Sequence, residues 1–255
     1  MSIVIEKRGP ITCIKIDNVK RKNALTDEMY TQLFQALDAA DDDEDTFITV
    51  VTGCGDEFYS SGNDFTPGSL PTPDPDDRDY QAGFKLLTNR LIRHKKALIA
   101  LVNGPAIGIA CTTLTLFDHV IMSDKAYLLC PFTQFGLCPE GTSSYTFEKI
   151  MGRAKAGSMA LFAERMTAQE AYQCGIASML IPHEKFRQET EKLLEKYSKL
   201  SKSSVLASKA LMRPREAQDK LLAVNQREDD LLKQLFVSEE TIERLMQRFA
   251  PKSKI

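Results

Sequence analysis

Apolar and polar positions along this chain follow two different periods, and the switches between them mark out its elements. Residues 3–6 and 11–17, rich in Ile and Val on either side of Gly9-Pro10, read as two β-strands joined by a turn. Met29, Leu33, Leu37 and Ala40 then recur at helical spacing, with Thr26 or Asp27 placed to cap the helix. The acidic run 41–45 reads as a solvated loop that closes it. The β-branched run 47–52 predicts a buried strand, followed by a loop over 56–65. Residues 66–79, rich in Pro, Asp and Gly, predict a longer loop. Then come a helix near 80–94, a strand at 97–102, a turn at 104–110 that opens a helix through 112–117, and a strand at 119–123. Beyond Ser143 the pattern is helical to the end, apart from a short strand at 176–181.

Alternation of strands and helices predicts an α/β fold, a sheet with helices outside it. The 255 residues suit one large domain or one with a small appendage, and 43% hydrophobic residues supply a sizeable core. No internal repeat and no flexible linker shows in the residues. The stripe Phe186, Leu193, Leu194 and Tyr197 needs a surface to cover, on this chain or on a neighbouring subunit.

Charge narrows the function classes. Lys plus Arg (33) nearly balance Asp plus Glu (35), which leaves no overall footprint for nucleic acid. No apolar run reaches the roughly 18 residues that span a bilayer. Glu6, Lys7 and Arg8 stand where a signal peptide needs an apolar stretch. Six cysteines without a C-x-x-C pair read as reduced thiols, and three scattered histidines suggest no metal site.

Two glycine-bearing turns stand out, each just after a strand: Ser60-Ser61-Gly62-Asn63-Asp64-Phe65 and Asn103-Gly104-Pro105-Ala106-Ile107-Gly108-Ile109. Glycine there permits unusual φ values and close approach by a ligand. A helix start adds unpaired N–H groups. Two such turns facing each other can aim two donors at one oxygen, as an oxyanion hole requires. Spacing alone fits ordinary turns as well. A dinucleotide fingerprint fails because Phe58 stands where the third glycine after Gly53 and Gly55 belongs, and no P-loop pattern exists.

Together with Asn23-Ala24-Leu25, these turns resemble, in order and separation, the crotonase or enoyl-CoA hydratase/isomerase superfamily, over nearly the whole chain. The segment Pro139-Glu140-Gly141 is similar to that of the Δ3,Δ2-enoyl-CoA isomerase branch. The resemblance implies a crotonase-like spiral core of repeated ββα units over 1–195 and a C-terminal helical region over 196–255 that builds trimers or hexamers. It implies an oxyanion hole made of the Asn63 and Ile109 backbone N–H groups. Coenzyme A contacts follow at Lys22, Ala24, Ser61, Gly62, Asp64, Phe65 and Gly108. Coenzyme A is part of the substrate, so no separate cofactor is expected.

The resemblance also separates two reactions. Hydratases of this kind carry two glutamates that hold and activate water. Thr112 and Phe132 occupy those positions here. Isomerases carry one, at the position of Glu140. The expected activity is therefore a shift of the 3-enoyl double bond to the 2-position, with hydration, thioester hydrolysis or non-catalytic acyl-CoA binding as alternatives. Near Phe132, Phe135 and Leu137, a base is expected to have a raised pKa. The closing Ser253-Lys254-Ile255 is near the S-K-L address read by the peroxisomal import receptor, so a peroxisomal location is expected, with cytoplasm or mitochondrion as alternatives.

Overall fold

The structure, a computed structural model, describes residues 1–65 and 82–249. The long loop expected over 66–79, the start of the helix expected near 80, and Ser253-Lys254-Ile255 lie outside the described residues.

Strands β1 (Ser2–Arg8) and β2 (Ile11–Asp17) form the expected antiparallel hairpin. Helix α1 (Asp27–Asp42) follows, capped by the Thr26 side chain, which accepts from the Met29 N–H. The chain continues through β3 (Ile48–Gly53), α2 (Gly83–Arg93), β4 (Ala97–Val102), β5 (Ala106–Ile107) and the single turn α3 (Ile109–Thr112). Next come β6 (His119–Ser123), β7 (Tyr127–Leu129), α4 (Ser143–Phe162, broken at Gly152), β8 (Met166–Thr167), α5 (Ala168–Cys174) and β9 (Met179–Ile181). Helices α6 (Phe186–Ser198), α7 (Lys202–Met212), α8 (Arg215–Phe236) and α9 (Glu239–Phe249) complete the described residues.

One sheet runs β1-β2-β3-β4-β6-β9, parallel from β2 onward; a second, small sheet runs β5-β7-β8. Between them the chain repeats a unit: a long strand, a short extended piece, then a helix. After β3 the short piece is supplied by Ser60 and Asn63, which form bridges with Ala106 and Leu25. After β4 it is β5, and after β6 it is β7. This is the crotonase-type ββα spiral. The repeat lies in the backbone path, so residues that show no sequence periodicity still build it.

The large sheet is buried on both faces, and period two sorts its side chains. Ile14, Ile16, Val51, Leu98, Ala100, Val102, Val120 and Met122 meet α1 and α2 on one face. Ile11, Cys13, Ile48, Val50, Ile99, Leu101 and Ile121 face the other way, where Phe186 and Leu194 of α6 cover them. The surface that the α6 stripe needed is thus the chain's own sheet. Each Val, Leu, Ile, Met or Phe side chain among them, fully buried, contributes roughly 1.5–3 kcal/mol.

Three expectations need correction. The turn at 104–110 does not lead straight into a helix: Ala106–Ile107 pairs with β7 first, and the helical run to Leu116 is one α-turn followed by a 3-10 turn. The short apolar pieces β7 and β8 went unread because two or three residues carry no measurable period. The acidic run 41–45 is not merely solvated. Asp41 belongs to α1, with its side chain buried 3.0 Å from the His94 ring, and Asp43 accepts the Lys7 ammonium at 2.9 Å.

Candidate active site

The C-terminal ends of β3 and β4 open into the two glycine turns, and side chains from the first motif hold them together. Asn23, itself left-handed at φ +56°, donates to the Cys54 and Phe58 carbonyls at 2.9 and 2.8 Å. Asn103 donates to the Gly55 carbonyl at 2.8 Å, and its Oδ1 accepts from Gly53 N–H at 3.3 Å. These two asparagines are scaffolding for the loop after β3. The Leu25 N–H donates to the Gly62 carbonyl, and the Leu25 carbonyl accepts from Asp64 N–H, both within 2.9 Å.

Gly62 is the pivot of the first turn. It sits at φ +82°, and a Cβ there would lie 2.6 Å from the Ile107 carbonyl oxygen, so the two turns touch through a position open only to glycine. Gly108, at φ +59° and ψ −128°, is held through its N–H to the Leu129 carbonyl at 2.9 Å and opens α3. Among the described residues, neither the Asn63 nor the Ile109 N–H donates to a protein acceptor. The Tyr30 hydroxyl, from the buried face of α1, donates to the Asn63 side-chain oxygen.

Both turns line one cavity of about 540 Å³. Lys22, Ala24, Ser61, Asn63, Asp64, Phe65, Gly108, Ile109 and Glu140 all reach it; Gly62 is buried beside it. Lys22 is exposed, with its ammonium 5.2 Å from the Phe58 ring centre. Asp64 accepts from the Arg21 guanidinium at 2.6 Å. Phe65 stacks on Phe135 at 5.8 Å.

Glu140 comes from a different part of the chain, the segment that leads into α4. It is only 3% exposed, and its Oε1 has no hydrogen-bond partner among the described residues. Its carboxyl is pushed up to about 8, first by burial and then by the negative charge of Glu228. Phe132, Phe135 and Leu137 line the same cavity, which is the apolar surrounding expected for it.

Against this geometry the comparisons with known proteins decide the family. The pattern described as enoyl-CoA hydratase/isomerase matches residues 6–255. The chain belongs to the enoyl-CoA hydratase/isomerase family. It is 41% identical to rat (Rattus norvegicus) enoyl-CoA delta isomerase 2 over 99% of its own length, and it spans 64% of that relative. It is also 41% identical to mouse (Mus musculus) peroxisomal enoyl-CoA delta isomerase 3 over 89% of this chain and 71% of the relative. The solved enoyl-CoA hydratase/isomerase from Pseudoalteromonas atlantica T6c superposes with a TM-score of 0.88, at 25% identity, with both chains covered in full.

Two further positions singled out in the sequence, Thr112 and Phe132, lie at the site. Thr112 is fully buried, and its Oγ1 lies 2.5 Å from where a Cβ on Gly141 would be. Residue 112 therefore packs against the Glu140 segment, and Gly141 at φ +67° is what allows that approach. Phe132, 7% exposed, lines the cavity with an apolar ring.

Several cavity residues escaped the sequence reading: Arg21, Gln134, Leu232, Phe236 and Arg248. Leu232 and Phe236 are one turn apart on α8, so their helical spacing was visible. Nothing local says that this stripe faces a site built by residues 60–140.

Proposed function

We propose that this chain is a Δ3,Δ2-enoyl-CoA isomerase in fatty acid oxidation, acting on a 3-enoyl-CoA thioester. One observation carries the reading: a buried carboxylate with an unpartnered oxygen, Glu140, shares a cavity with two backbone N–H groups that have no acceptor among the described residues. The Glu140 carboxylate removes a proton from C2, and the electron pair delocalises into a dienolate. The negative charge on the thioester oxygen is met by the Asn63 and Ile109 N–H groups; one such donor is worth about 2.7–4 kcal/mol of barrier. The Glu140 acid then returns the proton at C4, leaving the 2-enoyl thioester. A base with raised proton affinity suits both halves of the shuttle. Coenzyme A lies along Lys22, Ala24, Ser61, Asp64, Phe65 and Gly108, beside the buried Gly62, and arrives as part of the substrate.

Hydration needs a second group to hold and activate water. Thr112 cannot take a proton near neutral pH, Phe132 can do neither, and Asp64 is engaged by Arg21. The cavity's aromatic lining keeps water from the dienolate. The mouse relative named peroxisomal, with Ser253-Lys254-Ile255, supports a peroxisomal location. The family resemblance supports a homotrimer or hexamer.

The test is product analysis with 3-enoyl-CoA and 2-enoyl-CoA. Isomerisation should exceed hydration in kcat/KM by at least about a hundredfold. Glu140→Gln should lose about 10²–10⁴-fold in isomerisation while thioester binding is kept. A ratio near one, or retention of more than about a tenth of the rate by E140Q, defeats the assignment.

A further inference from the structure

Glu228 is the anomaly of α8. Residues 228, 232 and 236 share one stripe of that helix; Leu232 and Phe236 line the cavity, yet the third member is an acid, 5% exposed. A buried carboxylate in an apolar stripe needs partners. Its partners are backbone groups of the Glu140 segment. Glu228 Oε2 accepts from the Thr142 N–H at 2.7 Å and Oε1 accepts from the Ser144 N–H at 2.9 Å.

That segment has an unusual path. Gly141 and Thr142 are both left-handed, at φ +67° each, and Thr142 makes no side-chain cap for α4. The N–H groups of Thr142, just before α4, and of Ser144 in its first turn are therefore capped from outside, by Glu228. On the near side, the Glu140 carbonyl accepts from the Ser143 hydroxyl at 2.6 Å and from its N–H at 3.2 Å. Glu140 is held at its backbone between these bonds, while its own Oε1 is left free.

We infer that Glu228 is a positioning residue for Glu140: its two oxygens clamp the left-handed turn after Glu140 and so aim an otherwise unpartnered carboxylate at the substrate. The inference rests on the proposed isomerase reading for its rate effects and stands apart from it for its structural ones. The clamp also sets the local charge. The titratable groups within the field of Glu140 are Glu228 from α8, Tyr30 from α1, and Cys130 and Cys138 from the strand side. Burial raises the Tyr30 phenol and the Cys138 thiol, and the hydrogen bond with Cys111, then burial, raises the Cys130 thiol, so the carboxylate whose charge acts on Glu140 is that of Glu228. Burial raises the Glu228 carboxyl above its ordinary value; the bonds from Ser144 and Thr142, and last the charge of Arg227, oppose that rise.

Glu228→Gln keeps the volume but removes the charge and one of the two acceptors. We expect kcat to fall at least about tenfold with KM within about threefold, since the clamp touches the base and not the thioester. The acid limb of kcat should move to lower pH by at least about half a unit, because a like charge is lost. With [13Cδ]Glu labelling, the Glu140 signal, identified by its absence in E140Q, should titrate at lower pH in E228Q than in the wild type. That readout needs no substrate, so it survives failure of the isomerase assignment. Wild-type kcat with an unmoved limb, or a lowered Tm with kcat and titration unchanged, would overturn the inference. Should E228Q not fold, Glu228→Asp retains the charge and shortens the reach: a drop in kcat with an unmoved titration supports the clamp, and wild-type kcat overturns it.

Discussion

Glu140 is costly to the fold because of what it is placed to do. An ordinary carboxyl titrates at 4.5, and this one is pushed up to about 8 by burial and by Glu228. The carboxylate is the reactive form in the proposed shuttle, so isomerase kcat/KM should rise with pH and level off above about 8. A pH–rate profile checks this; a limb below pH 6 would contradict it. The stability consequence has the opposite sign. A folded pKa above the unfolded one means that folded Glu140 retains its proton more tightly. Its contribution is fully present below 4.5 and is lost as pH rises through 8. Glu140→Gln removes that dependence. The variant's Tm should exceed the wild type's by at least about 3 °C at pH 9, with the gap closing near pH 4. Differential scanning calorimetry at the two pH values reads it, and an equal gap at both would refute the argument. Legibility at this scale was uneven. Glu140 was picked out by the resemblance of its Pro-Glu-Gly segment, since its residue type alone suggests an exposed loop. Glu228 carried a local signal, an acid at i−4 and i−8 from cavity-lining apolar residues. The partner that makes the acid useful lies 86 residues away from it in sequence.

The elements that matter most are the shortest. Two turns meet because Gly62 has no side chain to hold them apart and because Asn23 and Asn103 tie the intervening loop. Gly62→Ala places a Cβ 2.6 Å from the Ile107 carbonyl at a left-handed φ. We expect a loss of about 1–3 kcal/mol in stability and at least about a tenfold drop in kcat, since the proposed oxyanion hole depends on this contact between the turns. Gly9→Ala is the matched control. It is left-handed at φ +57° with nothing within 4 Å, in the hairpin turn between β1 and β2. It should lose stability and keep kcat. Equal kcat in both variants would mean that the contact between the turns does not organise the site. The long elements were read closely from pattern: the spans of β2, β3 and β4, the α1 stripe, and a cap at Thr26 or Asp27, of which Thr26 is the one used. The stretch read as a turn at 104–110 leading into a helix hid a strand, because Ala106 and Ile107 take partners in β7, a strand 22 residues ahead that has no period of its own.

Across the whole molecule, the C-terminal helices serve two ends. Helix α6 covers the second face of the large sheet, and α8 packs on α2 and supplies Leu232 and Phe236 to the cavity and Glu228 to the turn after Glu140. The proposed location is tested on the full chain with a fluorescent protein fused at its N-terminus. Punctate signal that coincides with peroxisomes and is lost on deleting Ser253-Lys254-Ile255 is expected; cytosolic signal from the intact fusion would reject the address. By itself the sequence determined the α/β class, most strands and helices, the two glycine turns and a single carboxylate at the isomerase position. Each of these depends on local periodicity, on backbone freedom at a few residues, or on a motif within one short segment. Only the tertiary structure decided which surface α6 covers, which residues from α8 and α9 complete the cavity, and that Glu140 is buried with a free oxygen beside a second acid. Those outcomes depend on long-range packing and desolvation, and neither is encoded in the spacing of neighbouring residues.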